Sequence, residues 1–412
     1  MIVVILLYIL LLFLLSILNP TWYAIGYIVF VSSFLGIMPP DAYIYNGVDY
    51  CSLLLNLSCV LPLLKNYNKS SKIGKFVIIC WLIFFIYGLI RPVILGYQGL
   101  MLSVKASKSF LTYAFAAYMI VCCKKINFKK LFSFLLFLSL YYSVLYIIAV
   151  IIPIGNILLG FEKTGYIQCL YDSFIYFSIC YVCSVYFEGG VKKRIFYIGI
   201  LIIGIFLGGY FSMFGCSIVV VVYSIYLKAT ARYSINARRF IGIILLFLLL
   251  CIVFAMFKFG YFNEIVSTQT AAIDSRGKNN LVREYLIAKE IYFGYGFISQ
   301  NSSYIQGMMQ DGNQYAQSLS FVDSGYIDLL GKFGIVGTLF FLMIPFIFIK
   351  KMKLREDNMF VVLLISFYAI NATWAVLCYP MGVIIIGIIF GFLIKNIKSD
   401  RNEQIKKLVG SK

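Results

Sequence analysis

Long apolar runs alternate with short basic segments along nearly the whole of this 412-residue chain, and that alternation limits the fold more than any single motif. Runs of about 15–20 apolar residues match a hydrocarbon layer about 30 Å thick. They fall near 2–18, 21–37, 51–64, 76–95, 109–123, 131–152, 171–187, 195–208, 210–227, 240–257, 334–350, 359–377 and 380–394. Only 12% of the residues are charged and 62% are hydrophobic, with a mean hydropathy of +0.94. Soluble domains carry about twice that charge, so the pattern predicts an all-α polytopic membrane protein. Twelve or thirteen transmembrane helices are expected. The doubt lies at the N-terminal end, where two spans place the N-terminus outside and one broken span places it inside. The first run has no basic start and reads as a span, not a secretory signal.

The net charge of +19 is a topology signal. Six segments hold 25 of the 35 basic residues: Lys65–Lys75, Lys124–Lys130, Lys192–Arg194, Lys228–Arg239, Lys350–Arg355 and the tail from Lys395. The remaining segments balance 10 bases against 11 acids. Basic loops stay in the cytoplasm, which puts the C-terminus there and the segment 258–333 outside. The expected organisation is therefore an N-terminal helix bundle (1–257), a large, partly helical extracytoplasmic loop (258–333), C-terminal helices (334–394) and a basic cytoplasmic tail (395–412). Nucleic acid is not an expected partner, because the basic residues are scattered among inter-helix loops and not focused on one binding surface.

Several chemistries are excluded. The chain has no histidine, which removes Ser-His-Asp hydrolysis and HExxH zinc sites. It has no GxxxxGK[ST] loop for nucleotide phosphates. Cys180 and Cys183 form a CxxC inside an apolar run, without further ligands, and read as packing residues. No cofactor or metal is expected.

The long loop carries two informative stretches. From about 278 to 292 the sequence has helical spacing, with Leu281, Tyr285, Ala288 and Tyr292 on one face and Gly294 as a stop. With a helix start near Arg276, that residue, Arg283 and Glu290 recur every seven positions. The two guanidiniums then stand about 10.5 Å apart along the axis, where they either converge on a polyanion or pair with Glu284 and Glu290 as solvated charges. The second stretch, Phe321–Phe340, begins polar at Asp323-Ser324-Gly325-Tyr326 and runs into the next span through Gly331, Gly334 and Gly337, which suit close helix approach. Asp323 fits either an N-cap or a carboxylate base.

In order and spacing these residues resemble the O-antigen and capsular polysaccharide polymerase (Wzy) family, which is related to the O-antigen ligases. The matching features are Ser275-Arg276, the Gly294-Tyr295-Gly296 turn, and Asp323-Ser324-Gly325-Tyr326-Ile327-Asp328-Leu329-Leu330 followed by Gly334-Ile335-Val336-Gly337. Ligases commonly have a histidine before the last stretch; this chain has Asp323 in that region, which favours polymerase.

The resemblance implies a glycosyltransferase of the bacterial cytoplasmic (inner) membrane that joins undecaprenyl-diphosphate-linked oligosaccharide repeat units on the extracytoplasmic face. Membrane lipid and a polysaccharide chain-length regulator are the further partners it implies. On that basis Arg276, Lys278 and Arg283, with Arg91 and Lys105 from another outer loop, hold the diphosphate. Asp323 and Arg276 are the catalytic candidates, and Tyr295, Tyr304 and Tyr326 the sugar-binding ones. The alternatives are a ligase or other lipid-carrier glycosyltransferase, and a lipid-linked oligosaccharide flippase or transporter.

Overall fold

A computed structural model describes residues 2–32, 44–45, 48–151, 172–208, 211–230, 233–234, 236–237, 240, 287, 289–299, 301–310, 325–351, 359–371 and 376–409. Arg276, Lys278, Arg283, Asp323 and the run 241–257 lie outside them, as do most of the expected helix at 278–292 and of the loop domain.

The described chain is helical apart from one short two-stranded ladder. In order the elements are α1 (Ile2–Leu18), α2 (Pro20–Val31), β1 (Ile44–Tyr45), β2 (Val48–Asp49), α3 (Tyr50–Leu57), α4 (Val60–Asn66), α5 (Lys72–Ile94), α6 (Leu100–Ala106), α7 (Lys108–Leu111), α8 (Tyr113–Cys122) and α9 (Phe128–Ile151). They continue as α10 (Asp172–Cys183), α11 (Val191–Leu207), α12 (Phe211–Thr230), α13 (Ser303–Gln310), α14 (Gly325–Lys351), α15 (Met359–Ile370) and α16 (Pro380–Val409). The strands pair antiparallel with Ile44 opposite Asp49.

Among the described residues, four helices are long and apolar enough to cross a membrane: Lys72–Ile94, Phe128–Ile148, Ser212–Thr230 and Gly325–Ile344. Shorter apolar helices stand at most of the other runs read from the sequence. The run at 51–64 is two helices, α3 and α4, joined through Ser58 and Cys59. Helix α16 continues without interruption through the basic tail to Val409.

Local signals explain the boundaries. Asn19 accepts a hydrogen bond from the Trp22 amide and Pro20 stands in the first turn of α2, so the chain stops and restarts there. Tyr8 donates to the Gly26 carbonyl at 2.8 Å, which makes α1 and α2 an antiparallel hairpin. Ser71 caps α5 by accepting from the Gly74 amide. At the bundle centre every residue from Tyr113 to Cys122 is buried except Ala114. Helix α16 presses against α8 through Gly387 and Gly391; a Cβ on either would meet the α8 backbone at Ala116 or Met119 within 2.7 Å. Small residues four apart permit that approach.

The bundle has two chemically distinct ends. At one, Lys395 donates to the Ile126 carbonyl, Lys129 pairs with Glu188, Lys130 lies over the Trp22 ring, and Arg194 donates to the carbonyls of Val182, Ser184, Phe187 and Gly189. Three basic segments separated in sequence thus share one end. The α1–α2 corner lies there too, since Asn127 donates its amide to Thr21. The start of α1 therefore points to the opposite end, where α5, α15 and the beginnings of α14 and α16 meet.

Candidate functional site

Two helix defects at that opposite end create the site. The first is in α5. Pro92 has no N–H, so the carbonyl of Gly88, four residues back, lacks its helical donor. Phe297 supplies one, its amide lying 2.7 Å from the Gly88 oxygen.

The second defect is in α14. Gly334 has φ +63 and ψ −173, a conformation open only to glycine, and it divides the helix into an outer piece (325–333) and an inner piece (335–351). The break leaves carbonyls and amides unpaired on its two sides. One segment fills four of these gaps. Tyr295 and Gly296 donate their amides to the carbonyls of Gly331 and Lys332, and Ile335 and Val336 donate theirs to the carbonyls of Ile291 and Tyr292. Irregular backbone among apolar helices is tolerated only when other protein satisfies it in this way.

The segment 289–299 is shaped for this seat. Gly294, at φ +67, closes the preceding helical turn by donating to the Glu290 carbonyl at 2.7 Å, so the stop expected at Gly294 is observed. Gly296, at φ +75, passes so close to α5 that a Cβ would lie 2.7 Å from the Gly88 oxygen. Of the expected apolar face, Leu281, Tyr285 and Ala288 lie outside the described residues and Tyr292 is 65% exposed, while Ile287 and Tyr295 are buried. The glycines of the second stretch also behave differently from the expectation. Gly334 does not serve helix packing; it breaks the helix. The span consequently begins at Gly325, within the region read as loop.

Arg91 holds this arrangement from α5. Its Nη2 lies 2.7 Å from Glu290 Oε2, its Nε donates to the Gly294 carbonyl at 3.2 Å, and its guanidinium lies over the Phe293 ring. The pair is half-buried, with side-chain exposures of 22% and 23%. Tyr87, one turn earlier, donates to the Phe293 carbonyl. The other candidate cation of this loop, Lys105, lies half-buried in the last turn of α6. That helix is linked to the same segment through Gln98, whose amide nitrogen reaches both Ser103 Oγ and the Phe297 carbonyl while its oxygen accepts from the Ser299 amide.

Beside Arg91 stands a tyrosine cluster. Tyr97 and Tyr304 stack at 4.0 Å, with Tyr295 5.8 and 5.9 Å from them. Tyr295 is 1% exposed and leaves no open ring face for a ligand, whereas Tyr97 and Tyr304 are partly open. Burial pushes the Tyr97 and Tyr295 hydroxyls above the usual phenol range, and Tyr304 adds to both shifts. Tyr326 is elsewhere, donating to the Tyr368 carbonyl in the helix bundle.

The structure thus brings together Arg91, Glu290, Tyr295 and Tyr304 of the residues singled out from sequence, and adds Tyr97 and Gln98. Tyr97 and Gln98 follow the Gly96 turn directly after α5, a turn signal that marks a loop but not its partner. Arg276, Lys278, Arg283 and Asp323 are outside the described residues. These features define an all-helical protein with helices fit to cross a membrane and a polar, aromatic site at one end. No protein-family profile matches the chain, and no curated protein matches it.

Proposed function

We propose that the chain is a multi-pass polysaccharide polymerase of the bacterial cytoplasmic membrane, joining undecaprenyl-diphosphate-linked oligosaccharide repeat units on the outer face. In this reading the end carrying Lys129, Arg194 and Lys395 faces the cytoplasm and the Arg91 end faces outward. The α1–α2 hairpin then places the N-terminus outside, which favours the thirteen-span arrangement.

The observation that carries the reading is the seating of Gly294-Tyr295-Gly296 between α5 and α14. The motif on which the resemblance rests is built into the break of α14, next to a guanidinium and two partly open tyrosine rings. Such a polymerase needs a cation for the departing diphosphate, an apolar flank for its lipid, and aromatic surface for sugar. Arg91 supplies the first at the helix ends. The outward faces of α5 and inner α14, including Ile86, Ile90, Val336 and Phe340, are exposed and apolar. Tyr97 and Tyr304 supply the third, and Tyr295 supports them from behind. Arg276, Lys278 and Arg283 remain the loop's contribution to the diphosphate, with Lys105 as a further cation. The bond energy resides in the glycosyl diphosphate, so the reaction needs no nucleotide.

Deleting the gene and separating the cell's polysaccharide on a gel tests the proposal. A polymerase leaves single repeat units and no ladder. A ligase leaves long polymer still on its lipid carrier. A flippase leaves lipid-linked units trapped on the cytoplasmic side, and an unchanged ladder removes all three readings.

A further inference from the structure

The outer piece of α14 contains an ion pair that the proposed diphosphate site does not use. Lys332 Nζ lies 2.5 Å from Asp328 Oδ2, with side-chain exposures of 17% and 5%. It is more enclosed than Arg91–Glu290, at 22% and 23%, and Lys129–Glu188, at 67% and 72%. Enclosed ion pairs are a poor source of stability, and apolar replacement of both members is often neutral or favourable. In a membrane segment such a pair points to function.

Its surroundings are unfinished. Asn371 is fully buried; its oxygen accepts from the Leu377 amide at 3.1 Å, but its amide nitrogen has no hydrogen-bond partner among the described residues. That nitrogen lies 2.5 Å from where a Cβ on Gly325 would stand. Gly325 is three residues before Asp328, so the two positions are neighbours on one helix face. The Cys378 thiol also interacts with the Asp328 carboxylate. Tyr113, nearby, has its hydroxyl committed to the Leu377 carbonyl. A donor without a described partner, set against the helix position three residues before a carboxylate, matches an alcohol, which accepts one hydrogen bond and donates one.

The pair is also tied to the Arg91 site. The Lys332 carbonyl holds the Gly296 amide at 2.9 Å, and the Gly294 carbonyl holds Arg91 Nε at 3.2 Å. Only two residues of backbone, about 7 Å at most, separate those two anchors.

Resting on the polymerase reading, we propose that Asp328 is the catalytic carboxylate that receives the proton of the acceptor sugar hydroxyl, with Asn371 directing that hydroxyl and Lys332 as the fixed counter-charge. The hydroxyl oxygen forms the new bond to the anomeric carbon and its proton passes to Asp328. The bond from that carbon to the lipid diphosphate breaks, and its electron pair leaves on the diphosphate oxygen beside Arg91. Asp328 then returns the proton to water or to the released diphosphate. This gives the acceptor role to a carboxylate with a built environment, five residues beyond Asp323.

The test uses the full chain in proteoliposomes, supplied with lipid-diphosphate-linked repeat units extracted from cells lacking this protein. Asp328→Asn and the double variant Asp328→Leu/Lys332→Leu are expected to lose at least about 100-fold in turnover, with the double variant as thermostable as the parent. A double variant within threefold of the parent rate overturns the proposal, because the pair is then only structural. Asp328→Glu provides a second reading that keeps the charge: a slower reaction with an altered acid limb in its pH–rate profile supports the role, and an unchanged rate and profile refute it. A parent chain that makes no polymer overturns the polymerase reading and this inference together.

Discussion

Replacing Gly334 with alanine probes the structural basis of the site directly. The residue has φ +63 and ψ −173, and a non-glycine residue in that region costs about 1–3 kcal/mol. Its new Cβ would also fall on backbone, against the Tyr292 carbonyl and the Phe293 nitrogen, neither of which can rotate away. Relief requires the 291–296 segment to withdraw, exposing four backbone hydrogen bonds to loss at about 0.5–1.5 kcal/mol each. The combined penalty is about 3–9 kcal/mol. Gly331→Ala is the matched control on the same helix. It has helical φ, its Cβ would meet only Ile287 at 3.9 Å, and alanine gains about 0.5–1 kcal/mol over glycine in a helix. Thermal unfolding of the full chain in detergent should show Gly334→Ala melting about 5 °C or more below the parent, with Gly331→Ala equal or higher. Hydrogen exchange at the Tyr295, Gly296, Ile335 and Val336 amides should rise only in the former. Equal melting temperatures for the two variants would refute the stitched-break account.

Arg91→Ala strands Glu290 half-buried and removes the bond to the Gly294 carbonyl, a loss of about 1–3 kcal/mol. Arg91→Lys should recover less than half of it, because one ammonium cannot hold both acceptors as the planar fork does; thermostability of the two variants checks the order. Asp172 is 1% exposed and both its oxygens lack a hydrogen-bond partner among the described residues, with Gly208 packed against them. Asp172→Asn removes an ionisable group from an apolar enclosure and should leave the melting temperature equal or raised; a clear drop would contradict that reading. The Tyr97 and Tyr295 hydroxyls are raised above the usual value of 10.0 by burial. Their contribution is complete below pH 10 and is lost as pH climbs above it, because the unfolded chain releases those protons first. Proteolysis of the 289–299 segment should accordingly accelerate above pH 10, and less so in Tyr295→Phe.

Much of the helical layout was legible because apolar length and loop charge are local properties. The stop at Gly294 was legible for the same reason, since a glycine after a helical stretch reports on its own backbone. The role of Gly334 was hidden. Three glycines at spacing three suit either helix packing or a helix break, and what decides between them is the 291–296 segment, some forty residues away in sequence. Pro92 carried half of a signal: it announces an unpaired carbonyl at Gly88 but does not say that Phe297 fills it. Arg91 was identified as an outer cation, yet its commitment to Glu290 and Gly294 depends on a contact across about 200 positions. Asp328 and Lys332 stood in a quoted motif without attracting a role, because enclosure, which makes the pair unusual, is a property of the folded chain alone.

The central claim is that this chain joins lipid-diphosphate-linked repeat units without a nucleotide. Purified full-length protein in proteoliposomes, given only those extracted units, tests it most directly by gel separation of the products. The account predicts a ladder of glycans rising in steps of one repeat unit, with free lipid diphosphate released in step. Single units that persist unchanged beside an intact, folded protein would contradict it.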